Sequence, residues 1–327
     1  MVEMIKVGII GGAGYTGGEM LRLLLLHPVV EISFVHSRSH AGAPVTRVHR
    51  DLFGETDLQF TGEVREDIDV LFLCVGHGEA RPFLEAHPFP GQVRVIDLSQ
   101  DFRLAEHAVL GDRVFTYGLP ECNIDAIRTA GNIANPGCFA TALQLALLPL
   151  TVGEGLTGDM HVTGITGSTG AGQKLRDSSH FSWRANNIQA YKSLSHQHVP
   201  EVMQTLRRLK PECGAVYFVP WRGDFPRGIH VTAYTRSDLS LEAAYELYEH
   251  YYSTQVFTHV NREMIDLKQV VNTNKCLIHL ERAGDSLVVH AVIDNLLKGA
   301  SGQAVQNMNL MLGLPEDTGL KLKSIVF

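Results

Sequence analysis

Apolar and polar positions follow two different rhythms along this chain. Ile5-Lys6-Val7-Gly8-Ile9-Ile10 is a short, nearly continuous apolar run of the kind carried by a strand buried on both faces. It breaks at Gly11-Gly12-Ala13-Gly14-Tyr15-Thr16-Gly17, after which Met20, Leu21, Leu24 and Leu25 recur at helical spacing until His27-Pro28 stops them. Buried-type runs return at 31–35, 69–75 and 94–98, with a short helical piece through Phe83-Leu84. This strand–helix alternation predicts an α/β fold with a mostly parallel sheet. Past position 138 the pattern changes. Residues 160–166, 214–219, 229–234, 276–280 and 288–292 read as strands joined by turns such as Ala283-Gly284-Asp285, which predicts an antiparallel sheet, with helices over 241–252 and 302–312. No internal repeat, low-complexity tract or long linker interrupts the series.

The first break carries chemistry. Gly12, Gly14 and Gly17 fit G-x-G-x-x-G between a strand and a helix, where the glycines permit a tight turn, close approach of backbone to a pyrophosphate and close helix–strand packing. A dinucleotide-binding Rossmann domain follows. The second strand ends in His36-Ser37-Arg38, with no Asp or Glu to hold a ribose 2′-hydroxyl; Ser37 and Arg38 suit a 2′-phosphate, so NADP is the expected cofactor.

Composition narrows the class. The 327 residues are 45% hydrophobic and 19% charged, enough for a large core and two domains of a soluble enzyme. A net charge of −7 without a basic run argues against nucleic acid as partner. Cys74, Cys122, Cys138, Cys213 and Cys276 are odd in number and lack C-x-x-C spacing, which points to a reducing compartment, the cytoplasm, and away from disulfides or a zinc knuckle. Met1-Val2-Glu3-Met4 runs straight into the first strand, so no signal peptide is expected, and no apolar run reaches membrane-spanning length.

Cys138, in Asn135-Pro136-Gly137-Cys138-Phe139-Ala140-Thr141, stands immediately before the apolar stretch 142–148, which puts a thiol at a helix N-terminus. Reactive cysteines so placed have pKa values of roughly 3.5–7.5 instead of about 8.5, whereas a buried cysteine elsewhere is inert. His196 and His198, in Ser195-His196-Gln197-His198-Val199-Pro200-Glu201, share one face of what reads as an extended stretch. Zinc is one reading of the pair, but no third ligand stands at recognisable spacing; acid/base service to a cysteine nucleophile is the stronger one. Gly167-Ser168-Thr169-Gly170-Ala171-Gly172-Gln173-Lys174 has P-loop glycine spacing, yet Gln173 replaces the required lysine, which leaves an anion-binding loop and argues against a kinase.

Taken in order, the strings 11–17, Ser99 to Leu104 (SQDFRL), Tyr117-Gly118-Leu119-Pro120-Glu121, Asn135-Pro136-Gly137-Cys138, 167–172, Ala190-Tyr191-Lys192, 196–201, Arg227-Gly228-Ile229 and Asp294-Asn295-Leu296-Leu297-Lys298-Gly299 resemble the N-acetyl-γ-glutamyl-phosphate reductase family over essentially the whole chain. Two departures are visible: the family commonly has Gly-Cys-Tyr-Pro-Thr where this chain has Gly137-Cys138-Phe139-Ala140-Thr141, and often Arg at Gln197. The resemblance implies a Rossmann domain over 1–137 and 300–327, and a glyceraldehyde-3-phosphate-dehydrogenase-like α+β catalytic and dimerisation domain over 138–299, with Cys138 at their junction. It implies NADPH-dependent reduction of an acyl phosphate through a thioester on Cys138, with His196 as acid/base and His198 in support. Cofactor contacts are implied at Gly12, Ala13, Gly14, Tyr15, Thr16, Gly17, Ser37, Arg38, Gly76, Ser168, Gly170 and Asn295. Substrate contacts are implied at Ser99, Arg103, Asn135, Lys192, His198 and Arg227. No metal, nucleic acid or membrane enters this reading, and a homodimer or homotetramer is expected. Aspartyl, aminoadipyl and N-succinyl-glutamyl phosphates are the alternative substrates, and a non-catalytic NADP-binding redox sensor is the competing class.

Overall fold

In the computed structural model the chain folds as two compact units, Met1–Pro136 with Ala300–Lys321, and Gly137–Gly299 with Leu322–Phe327. Residues 4–153, 155–156 and 158–325 are described below; the expected run of Met1, Val2 and Glu3 into the first strand lies outside them.

The first unit holds β1 (Ile5–Ile10), α1 (Tyr15–Leu25), β2 (Val30–His36), β3 (Phe60–Thr61), β4 (Val70–Leu73), α2 (Ala80–Ala86), β5 (Arg94–Asp97), β6 (Val109–Leu110), β7 (Arg113–Tyr117), α3 (Pro120–Thr129) and β8 (Asn132–Ala134). Among the described residues its sheet has eight strands in the order β3-β2-β1-β4-β5-β8-β7-β6, parallel except for the β6–β7 hairpin. The continuous apolar runs are explained by burial from both sides: Val7, Ile9, Val70, Leu71, Phe72 and Leu73 are fully enclosed. The direction of winding reverses between β1 and β4, where open α/β sheets leave a crevice at the carboxyl ends of their strands.

The second unit opens with α4 (Cys138–Val152), followed by β9 (Met160–Thr166), α5 (Phe181–Arg184), β10 (Gln189–Ala190), α6 (His198–Leu209), β11 (Val216–Arg222), β12 (Ile229–Arg236), α7 (Leu241–Tyr252), β13 (Thr258–Val260), β14 (Cys276–Ala283) and β15 (Ser286–Ile293). The sheet runs β10-β11-β9-β12-β15-β14-β13. It is mixed: β9, β12, β15 and β14 pair antiparallel as the sequence predicts, but β11 lies parallel to β9 and β13 parallel to β14. The β9-to-β11 connection carries α6, and such a crossover returns the chain in the same direction. Residues 139–151 of α4 are all buried, the signature of a helix apolar on every side.

The last helix, α8 (Ser301–Met311), belongs to the first unit, where Ser301 Oγ donates to the Thr16 carbonyl at 2.9 Å and Asn307 Nδ2 to Gly118 O at 2.9 Å. From Leu322 the tail groups with the second unit instead of the first, and Asn272 Nδ2 donates to Lys323 O at 3.0 Å.

Candidate active site

The loop after β1 is built to receive a pyrophosphate. Gly11 has φ +79°, and a Cβ there would fall 2.4 Å from Cys74 O; at Gly12 it would strike Val35 Cγ1 at 2.2 Å, and at Gly17 the Gly11 carbonyl at 2.6 Å. Gly14 caps α1 without a side-chain hydrogen bond, so no side chain claims the first amides of that helix. A cradle of this shape, open at a helix N-terminus, fits a dinucleotide. Cys74 beneath it is no nucleophile, because burial pushes its thiol up to about 12.

The end of β2 offers only neutral and cationic donors. Ser37 Oγ lies 3.3 Å from His40 Nδ1, and the exposed Arg38 pairs with no carboxylate among the described residues. Across the crevice β4 runs into Gly76, His77 and Gly78. Asp101 holds this loop: its Oδ1 accepts from Gly78 N at 2.6 Å, and its Oδ2 from Ala80 N at 3.0 Å and Arg81 N at 3.2 Å. The sequence motif SQDFRL drew attention to Ser99 and Arg103, and the carboxylate between them was passed over.

Those two side chains, with Asn135, bond to the fold around them. Ser99 Oγ donates to Asp97 Oδ2 at 2.8 Å; Arg103 donates to the carbonyls of Asn135 at 2.8 Å and Leu98 at 2.9 Å; Asn135 donates to Ala300 O at 3.1 Å and accepts from Asn307 at 3.0 Å. Together they clamp the carboxyl ends of β5 and β8. Arg227 likewise already has its carboxylate, a two-pronged pair with the buried Asp294 at 3.0 and 3.1 Å.

In the second unit the nucleophile candidate is the first residue of α4. The first intrahelical bond runs from Thr141 N to Gly137 O at 2.8 Å, so the amides of Phe139 and Ala140 open the helix next to the thiol. Gly137 N donates to Glu201 Oε1 at 2.8 Å, which ties the start of α4 to α6. A Cβ on Gly299 would stand 2.8 Å from Cys138 Cβ, so the 294–299 turn lies directly against the thiol-bearing residue.

His196 is buried in a ring of aromatic edges: Tyr191 and Phe139 at 5.7 Å, Phe218 at 5.5 Å and His198 at 4.7 Å between centroids. The segment is not extended as expected. His198 is the first residue of α6, and Pro200 is accommodated because its missing N–H falls in the first helical turn. The His198 amide donates to His196 Nδ1 at 3.2 Å, which leaves the ring proton on Nε2. Burial, and secondarily the Lys192 charge, push this imidazole down to about 4. Lys192 itself donates to Gln197 Oε1 at 2.8 Å. Among the described residues no cluster of three metal-ligating side chains is present, so the zinc reading finds no third ligand.

The glycine-rich loop of 167–172 spends most of its amides on the fold. Its amides are taken by protein carbonyls: Gly167 N by Gly228 O, Ser168 N by Phe225 O, Thr169 N by Pro226 O and Gly170 N by Gly167 O. Asn295 pins it, accepting from Gly228 N at 2.7 Å and donating to Thr169 Oγ1 at 3.0 Å, with Gly170 packed alongside.

A Rossmann sheet with a glycine cradle, and a separate mixed α+β unit whose first helix begins on a cysteine, define a semialdehyde dehydrogenase architecture. Residues 6–130 match the family model described as semialdehyde dehydrogenase, NAD binding domain, and residues 138–295 the one described as semialdehyde dehydrogenase, dimerisation domain. Aspartate semialdehyde dehydrogenase II of Vibrio cholerae, complexed with ASA, superposes with a TM-score of 0.73 at 18% identity, over 95% of this chain and 99% of that one. The NADP complex of aspartate semialdehyde dehydrogenase from Candida albicans gives 0.71 at 14% identity, over the same shares. In sequence, the N-acetyl-gamma-glutamyl-phosphate reductase of Bacteroides thetaiotaomicron is 55% identical over 99% of this chain and 100% of its own length, and that of Christiangramia forsetii 50% identical over the same shares. The chain belongs to the N-acetyl-gamma-glutamyl-phosphate reductase family.

Proposed function

We propose that this chain reduces N-acetyl-γ-glutamyl phosphate to N-acetylglutamate 5-semialdehyde and phosphate with NADPH, a step of arginine biosynthesis. The observation that carries this reading is the Cys138 thiol at the head of α4, with the next residue, Phe139, packed against a neutral histidine whose proton sits on Nε2.

The Cys138 thiolate attacks the γ-carbonyl, a C–S bond forms, the C–O bond to phosphorus breaks, and inorganic phosphate leaves with the electron pair. The dinucleotide, when bound, supplies the hydride that reduces the thioester carbonyl. His196 Nε2–H donates to the oxyanion that develops on that carbon, as do amides of the first turn of α4. A neutral imidazole can do this as an electrophile, without full proton transfer. The tetrahedral adduct then expels the Cys138 thiolate and the aldehyde is released.

Gly12, Ala13, Gly14, Tyr15, Thr16 and Gly17 hold the pyrophosphate, the Asp101-braced loop at Gly76 borders the same crevice, and Ser37 and Arg38 favour NADP over NAD. In this reading the first unit, with Ala300–Lys321, is the cofactor domain and the second the catalytic and dimerisation domain. Self-association as a homodimer or homotetramer is supported by the dimerisation-domain match and by Tyr217 and Tyr234, 41% and 47% exposed on one face of the second sheet. A cytoplasmic setting is supported by five cysteines that form no disulfide among the described residues.

The test follows NADPH absorbance with N-acetyl-glutamyl, N-succinyl-glutamyl, aspartyl and aminoadipyl phosphates. The N-acetyl compound is expected to give the highest kcat/KM; turnover of none would leave only a cofactor-binding protein.

A further inference from the structure

Two arginines that the sequence did not single out stand beside the thiol site. Arg184 ends α5 and is only 9% exposed, with its terminal nitrogen on the Gly223 carbonyl. Arg222 ends β11, on the sheet face of Phe218, the ring that packs against Phe139 and His196. Its guanidinium carbon lies 4.8 Å above the Tyr191 ring. The Nε atoms of both arginines are buried and have no hydrogen-bond partner among the described residues.

A buried Arg184 and a half-buried Arg222, each with an idle, buried Nε donor, are an unfavourable arrangement. Arg184 is held below its ordinary range by burial and then by the charge of Arg222, while Asp224, the carboxylate that opposes this, is exposed and accepts from Asn186 N at 2.5 Å. Both Nε donors are open to an anion. The place lies next to the chemistry, since the Tyr191 ring is 5.7 Å from His196 and its hydroxyl is raised by burial and then by the nearby Cys138.

We propose that Arg184 and Arg222 together hold an oxyanion of the substrate, its phosphoryl group or its carboxylate, beside Cys138. The proposal rests on the acyl-phosphate reading above. Planar guanidiniums match either oxyanion through paired N–H donors, and enclosure strengthens the match.

The test reads protection of Cys138 from iodoacetamide by inorganic phosphate and, separately, by N-acetylglutamate, so it needs no turnover. In the wild type at least one of the two is expected to slow alkylation. Arg184→Gln and Arg222→Gln should each raise the protecting concentration by about tenfold or more, the usual weight of a charge-assisted pair, and Arg184→Lys by less. Loss confined to phosphate assigns the phosphoryl group, and loss confined to N-acetylglutamate assigns the carboxylate. Folded Gln variants with wild-type protection, or a wild type that neither anion protects, would overturn the proposal. If protection behaves as expected but no acyl phosphate is reduced, the anion site stands and the activity assignment falls.

Discussion

The backbone amide of His198 donates to Nδ1 of His196 at 3.2 Å, so the neighbour in sequence fixes which nitrogen of the candidate acid carries its proton. Protonating Nδ1 would set two N–H groups against each other, and burial opposes the charged ring further. The folded value of about 4 lies below the ordinary 6.5. The neutral ring therefore contributes stability that is complete above about 6.5 and is lost as pH falls through about 4. The kcat/KM profile should show no ionisation of His196 near neutrality. An acid limb at about 6.5 that disappears in His196→Asn would contradict the assignment.

Removing this donor should lower kcat by about 10²–10³-fold, with dinucleotide binding unchanged. A neutral partner does not hold the thiolate by charge, so alkylation of Cys138 at neutral pH should hardly change in His196→Asn. Much slower alkylation would mean that an imidazolium stabilises the thiolate after all. His198→Asn should be the milder variant, because the amide that orients His196 belongs to the backbone.

Glu201 joins the turn that carries Cys138 to the helix that follows His196. Glu201→Gln keeps an oxygen for Gly137 N and should stay within a few-fold of wild-type activity. Glu201→Ala orphans a buried amide and should cost about 1–3 kcal/mol of stability, read by denaturant unfolding. Equal effects of the two substitutions would show that this contact does not set the geometry.

Gly299→Ala tests the packing around the thiol. Its Cβ would lie 2.6 Å from Asn295 O and 2.8 Å from Cys138 Cβ, so backbone or nucleophile must shift. A displacement approaching 1 Å costs on the order of 10²-fold in rate. Steady-state assays should find kcat reduced with the KM for NADPH unaltered; a fully active variant would place the turn farther from the reacting atoms.

On the cofactor side, Arg38→Asp should weaken NADPH binding by about 1.5–3 kcal/mol and move preference towards NADH. Asp101→Asn replaces one oxygen by an NH₂ facing backbone donors, which should raise the KM for NADPH several-fold while kcat stays near wild type. A wild type that uses both cofactors equally would remove the role given to Ser37 and Arg38.

The first unit was largely legible because local signals dominate there: Gly12 and Gly17 stand where a Cβ would strike the fold at 2.2 and 2.6 Å, while Gly14 has room for one. The parallel placement of β11 was not legible, since pairing is decided by the α6 crossover and not by the pattern within residues 216–222. Nor were the protein partners of Ser99, Arg103 and Arg227. A charged or polar side chain in a motif looks the same in sequence whether it faces a ligand or, like Arg227 on Asp294, a buried carboxylate. Arg184 and Arg222 escaped for the opposite reason, because nothing in their neighbours distinguishes them until the fold encloses their Nε atoms.

The most direct test of the whole account is turnover by Cys138→Ser with N-acetyl-γ-glutamyl phosphate and NADPH. Serine's hydroxyl is far less ionised than a thiol, and the glycine cradle at 11–17 is untouched, so activity should fall below about one percent of wild type while NADPH still binds. Substantial activity in this variant would contradict the thioester route and with it the role assigned to the head of α4.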